Sequence, residues 1–114
     1  MLSEVIKEIL KEELSGKKQS QESKEFSADH PFVIGKKYLI RTVTMIQTGQ
    51  LKEVKGNFLV LKDADWIADT GRFSEALNDQ SKFNEVEPFK NDVIVSMGSI
   101  VDATEIKTLI RKLK

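Results

Sequence analysis

The sequence contains no cysteine, two prolines, one histidine and one tryptophan, and no surplus of charge of either sign. Without cysteine there is no disulfide, no thiolate zinc site and no cysteine nucleophile. The lone histidine, His30, stands before Pro31 in a polar stretch. With no second histidine to join it, it reads as a solvated turn residue rather than a metal ligand or a base. The 18 lysines and arginines balance 18 aspartates and glutamates. That argues against a general nucleic-acid coat, which needs uncompensated cations, but is compatible with one basic patch. No apolar run reaches the ~18 residues of a membrane helix. The opening MLSEVIKEILKEEL carries acids throughout and lacks a signal-peptide core. No membrane association is expected, and the expected place is the cytoplasm or the inside of a phage or other assembled particle. Gly-rich phosphate loops, Ser/His/Asp sets and paired-histidine motifs are missing as well. No enzyme, cofactor or metal is expected.

What is present suits a small globular domain, with 39% hydrophobic and 32% charged residues in a chain of 114. Its centre is Ile34 to Ala68. Tyr38 to Ile46 is rich in Tyr, Ile, Val and Thr and predicts a strand, apolar on both faces and so covered on both sides or strongly bent. Thr48-Gly49 marks a turn or bulge. Leu51 to Val54 and Phe58 to Leu61 predict two more strands around the hairpin signal Lys55-Gly56-Asn57. Residues 66–80 predict a helical insertion. Phe83 to Phe89 predicts an edge or irregular strand, because Pro88 has no amide proton. Val93 to Met97 and Ile100-Val101 predict a strand kinked at Gly98. Ile106, Leu109, Ile110 and Leu113 recur at helical spacing and predict a C-terminal helix with cations toward its end.

Ahead of this body, residues 1–16 predict an amphipathic helix whose stripe includes Val5, Ile6, Ile9 and Leu10. A helix this short is marginal alone. It is expected to dock on its own domain or on a protein partner. Residues 17–33 read as a flexible linker, too polar to offset their ordering entropy. The body is then 34–114: a small, strongly bent, mainly β barrel with terminal helices and glycines at its corners. A domain of this size is marginal alone and gains from a partner surface. Open strand edges seek such a surface, so a homo-oligomer, closed into a ring, is expected.

Two stretches carry a resemblance. Gly49-x-Leu51-x-x-Val54 followed by Phe58-Leu59-Val60-Leu61-x-x-Ala64 is similar to the first motif of Sm-like proteins. Val93-Ile94-Val95-x-x-Gly98-x-Ile100-Val101-x-Ala103 is similar to the second. The resemblance implies an SH3-type Sm-like barrel and ring assembly. The residues with which Sm-like proteins contact RNA do not carry over: the turn is Lys55-Gly56-Asn57, and the second motif has Met97-Gly98. A second resemblance covers residues 34–104, through Tyr38-x-Ile40-Arg41-Thr42-Val43-Thr44, Asp63-Ala64-x-Trp66-Ile67-Ala68-Asp69-Thr70-Gly71-Arg72-Phe73, Glu85-Val86-Glu87-Pro88 and Ile100-Val101-Asp102-Ala103. It is to a family of short uncharacterised proteins of bacteria and their phages. It implies a phage or mobile-element setting and brings no known activity.

The best candidate contact site is Asp69-Thr70-Gly71-Arg72, with Arg41 and Trp66 nearby. A glycine amide beside a guanidinium suits a phosphate or nucleotide, and Trp66 or Phe73 could stack a base. The plainer reading makes these groups an internal ion pair and a subunit interface. Asp63, Asp65 and Asp69 with Arg72 and Glu75 form an oxygen-rich set, but the spacing fails the Ca²⁺-loop pattern, since Ala68 stands where glycine belongs. Helix-capping carboxylates are the expected role. The function expected is that of a non-enzymatic, self-assembling structural or adaptor protein. The alternative is an Sm-like RNA or nucleotide binder that uses the Asp-Thr-Gly-Arg loop.

Overall fold

The computed structural model describes residues 30–114; the expected N-terminal helix and most of the linker lie outside them. Residues 32–114 form one compact unit. Six antiparallel strands make up a single sheet: β1 (Lys37–Thr42), β2 (Ile46–Lys55), β3 (Phe58–Asp69), β4 (Glu85–Pro88), β5 (Val93–Ser96) and β6 (Ile100–Glu105). One α-helix, α1 (Phe73–Asn78), and a 3-10 turn (Gln80–Lys82) link β3 to β4. The strand order is β4-β3-β2-β1-β6, and β5 pairs with the first half of β3. A single 3-10 turn, Met97–Ser99, carries β5 into β6. The sheet therefore curls until its two ends are joined by chain but not by a ladder.

The β1 alternation explains the two-faced apolar pattern seen in sequence. Tyr38 and Ile40 point into one core with Leu51, Leu59, Leu61, Ala64 and Val95. Leu39 points the other way, into a second core with Ile67, Ala76, Phe83, Val86 and Ile106. Each buried aliphatic side chain contributes roughly 1.5–3 kcal/mol. The first core is the barrel interior, and Phe32 joins its rim, edge-on to Tyr38 with ring centroids 5.3 Å apart. The second is an annex outside the barrel, covered by α1 and the C-terminal residues.

β3 serves both cores because of one extra residue. Thr48 pairs with Asp65, but Gln50 pairs with Lys62, so β3 has one residue more than its partner there. Asp63 takes up the excess with φ +52°, a left-handed conformation that aspartate tolerates better than most residues. Leu59 and Leu61 before it and Ala64 after it all face the barrel, while Asp65 and Ile67 face the other side. Gly49 sits opposite the bulge. A Cβ there would lie 2.9 Å from Leu61 Cβ and 3.3 Å from Ala64 Cβ. Gly49 is thus a close-packing residue inside β2, not a turn.

Three expectations are corrected. The strand expected from Tyr38 to Ile46 breaks into β1 and β2. Thr42 N donates to Met45 O at 2.8 Å and Met45 N donates to Thr42 Oγ1 at 3.2 Å, which closes a turn that the β-branched Val43 and Thr44 concealed. The helical insertion expected over 66–80 begins late: Trp66 to Asp69 still belong to β3, and the helix covers only Phe73–Asn78. Finally, residues 106–114 hold no helix. They run as an irregular tail with Arg111 at φ +57°, a conformation that no right-handed helix contains. Their apolar groups do not need a helical stripe, because Ile106, Leu109 and Ile110 pack on the annex from an irregular backbone, while Leu113 is left 73% exposed. The edge placement of the Pro88 strand agrees with the sequence reading.

Candidate functional site

The Asp69–Arg72 loop joins β3 to α1, and its own atoms fill it. Gly71 adopts φ +70°, and its amide donates to Asp69 Oδ1 at 2.9 Å. Thr70 Oγ1 donates to Gly71 O at 2.8 Å. The amide that would face an anion is therefore held by a carboxylate. Arg72 turns away, its Nε 4.0 Å from Glu75, with 75% of its side chain exposed. Such a pair contributes little in water.

Arg41 is committed elsewhere. Its Nε donates to Asp102 Oδ1 at 2.7 Å, and a terminal nitrogen donates to Oδ2, a bidentate fork between β1 and β6. Its guanidinium carbon lies 5.3 Å from the Phe73 ring centroid, a cation–π contact with the first residue of α1. The hydrogen bonds from Arg41 hold the Asp102 carboxyl below its usual range, and those to Asp102 push the Arg41 guanidinium up. Leu39, Phe73, Leu77 and Ala103 line a shallow groove of about 200 Å³ beside this pair. Trp66 alternates with Ile67 and so occupies the face of β3 opposite the annex and α1; it pairs with Gln47 and Glu87. The structure thus brings Arg41 and Phe73 together and Asp69 and Gly71 together. Trp66 lies on the other face of β3, and Arg72 reaches only Glu75 among these acids.

The acidic set is dispersed in the same way. Among the described residues no three histidine, cysteine, aspartate or glutamate side chains are grouped to hold a metal ion. Asp65 is fully buried, and Asp69 serves Gly71. Lys36, Lys37 and Lys107 border an open cleft of about 320 Å³. Lys36 is 3.4 Å from Glu105 and Lys37 Nζ donates to Lys107 O at 3.3 Å, so that charge is partly answered.

The edges of the sheet differ sharply from this self-satisfied loop. Among the described residues β5 pairs with β3 alone, and β6 with β1 alone. Among the described residues, no backbone partner lies along the outer side of either strand. Ile94 on β5 is 68% exposed and Val101 on β6 is 63% exposed. Val60 lies directly across from Ile94, and Phe58 across from Ser96. The alternation therefore puts Phe58, Val60 and Ile94 on one outward face, an apolar patch next to the β5 edge.

Sequence reasoning missed two polar clamps. Asp65 accepts from Arg111 Nη1 at 3.0 Å and from Arg111 N at 3.1 Å, and the same guanidinium donates to Ala64 O and Phe89 O. Gln80, 2% exposed, donates to Ala76 O and Leu77 O and accepts from Lys107 N and Thr108 N. One signal was present: a buried aspartate between Leu61 and Ile67 requires a cation. Nothing local pointed to Arg111 as that cation.

No family model matches the chain, and no curated protein does. Among solved structures the chain is similar to a heptameric archaeal Sm protein. Identity is 18%, with 65% of this chain and 90% of that one covered at a TM-score of 0.46. It is also similar to the heptamer of the P. aerophilum protein SmAP1. There identity is 18%, with 66% and 84% covered at a TM-score of 0.47.

Proposed function

We propose that this chain is a non-enzymatic structural or adaptor protein, an Sm-like barrel that assembles with copies of itself edge to edge. The observation that carries the reading is the pair of edges, β5 and β6, that no strand among the described residues covers, each with a well-exposed β-branched apolar residue, Ile94 and Val101. Backbone groups left unpaired along an edge are a template for another strand. The two edges are different surfaces, so a contact between them is head-to-tail, and a head-to-tail contact closes into a ring when the rotation permits. The N-terminal stripe of Val5, Ile6, Ile9 and Leu10 then serves a protein partner outside the ring. The setting is the cytoplasm, or a phage or other assembled particle as the second sequence resemblance implies.

Native mass spectrometry tests this directly. A discrete multiple of the 12.9 kDa subunit is expected. A purely monomeric mass at micromolar concentration overturns the reading. Lysine at both edge positions, Ile94→Lys with Val101→Lys, should dissociate the assembly while leaving the strand signal in circular dichroism.

The alternative, an RNA- or nucleotide-binding protein, is favoured by one observation, the exposed and weakly paired Arg72. It predicts salt-dependent binding of single-stranded RNA that Arg72→Ala abolishes. Equal binding by wild type and variant removes it, and absorbance at two wavelengths shows whether nucleic acid purifies with the protein.

A further inference from the structure

The sheet has a third exposed end, β4, and its edge is treated differently. β4 pairs with β3 on one side. Its backbone alternates, so Glu85 and Glu87 turn toward β3 and Val86 and Pro88 turn outward. Pro88 has no amide proton to offer. Val86 N donates to Lys114 O at 3.3 Å, and Lys114 N donates to Val86 O at 2.9 Å. Every outward donor on β4 is thus either absent or already used. A proline and an occupied amide are the devices by which natural sheets blunt an edge.

Lys114 does not reach Val86 by chance, because the tail that delivers it is fastened along its length. Ile106 N donates to Lys37 O at 2.9 Å as the tail leaves β6. Gln80 Oε1 takes the amides of Lys107 and Thr108 at 3.1 and 3.0 Å. Asp65 takes the amide and the guanidinium of Arg111. Lys114 Nζ donates to Ser81 O at 2.8 Å. Leu109 and Ile110 pack on the annex between these fastenings.

We propose that residues 106–114 are a strap that closes β4 to strand addition, so that copies of the chain join only through β5 and β6. The inference rests on the self-assembly proposed above and adds what limits it. With the strap in place each copy offers two mating edges. With β4 uncovered each copy offers a third, and a third edge turns a closed ring into a branching, open-ended assembly. The occupant of the uncovered edge is a strand of a second copy, because Val86 would then present an amide and a carbonyl in the spacing that Lys114 now answers.

The test compares the full chain with a chain lacking residues 112–114, which retains the Gln80 and Asp65 clamps. Native mass distributions are measured over a range of concentrations, and amide hydrogen exchange is followed at Val86. In the full chain the Val86 amide is expected to be protected and the mass distribution narrow. In the shortened chain the distribution is expected to shift upward and broaden as concentration rises, with Val86 exchanging fast when dilute and slowly when concentrated. A shortened chain with the wild-type mass distribution overturns the strap. Should shortening destroy the fold by circular dichroism, Lys114→Pro in the full chain removes the amide donor to Val86 O and the ammonium donor to Ser81 O and leaves the rest of the strap in place. It should move both readouts the same way by less, and unchanged values for that variant also overturn the proposal. The mass of the full chain by itself tests self-assembly. A monomeric full chain that multimerises on shortening would reject the ring and keep the strap, and a full-chain oligomer unaffected by shortening would do the reverse.

Discussion

The barrel interior and the annex are two apolar cores on opposite faces of β1, and they are held together by different means. The interior is closed by alternation: Tyr38, Ile40, Leu51, Leu59, Leu61 and Val95 come from neighbouring strands and need only the ladder to meet. The annex draws Ala76, Phe83 and Ile106 from a short helix, a loop and a tail, none of which could stand alone. It adds polar clamps, Gln80 and the Asp65–Arg111 pair, which fix irregular backbone that no ladder would satisfy. Regular backbone needs a pattern, whereas irregular backbone needs specific partners.

The largest effects should come from breaking each core by its own principle. Leu61→Ala opens a cavity in the interior and should cost about 2–5 kcal/mol, read by urea denaturation as a fall in midpoint with little change in slope. Arg111→Ala leaves the Asp65 carboxylate buried without its cation and should cost about 3 kcal/mol. The distinction lies in what opens. Hydrogen exchange should show the annex, at Lys107 and Thr108, lost well before the β1–β2 ladder in Arg111→Ala, and all regions lost together in Leu61→Ala. Simultaneous loss in both variants would mean the two cores are one cooperative unit.

Gln80→Leu should follow. It leaves the part-buried amides of Lys107 and Thr108 without their acceptor, at about 1 kcal/mol, and again the loss should be confined to the annex. Gly49→Ala probes the interior at its tightest point. With Leu61 Cβ 2.9 Å from the added methyl, roughly 1–3 kcal/mol is expected from overpacking, visible as a lower melting temperature.

The smallest effect is electrostatic. Asp102 is held below its usual range first by the hydrogen bond from Arg41, and Asp79 by hydrogen bonds from Ser81. A carboxyl depressed in the folded state adds stability above its unfolded value of about 4 and loses it as pH falls through the folded value. Melting temperature followed downward from pH 7 should therefore fall, and Asp102→Asn should flatten that fall slightly. Because the Arg41–Asp102 pair is exposed, added salt should shrink the difference further. A steeper decline in the variant would contradict the assignment.

The same contrast explains what the sequence made legible. The β2–β3 hairpin, the edge position of the Pro88 strand and the two-faced character of β1 all follow from period and turn chemistry. The break at Val43-Thr44 did not, because a threonine hydroxyl closes that turn without any glycine or proline to mark it. The tail was misread as a helix since Ile106, Leu109, Ile110 and Leu113 have the right spacing, and spacing does not reveal that Arg111 is tied to an aspartate 46 residues earlier. For the contact loop, composition offered a glycine amide and two arginines to an anion. Asp69 and Asp102 take the amide and one of those arginines, and only the folded chain shows which partner each group chose.

One aspartate governs which way half of a strand looks. Asp63 is a spare step in β3, and its removal would let Lys62 and Ala64 follow each other in ordinary rhythm, with every later residue keeping its present aspect. Replacing it by valine, which shuns positive φ, would instead count it into the rhythm and swing Ala64, Asp65, Trp66 and Ile67 to the wrong sides. For this position, then, excision should be gentler than exchange, the reverse of what a buried strand ordinarily teaches.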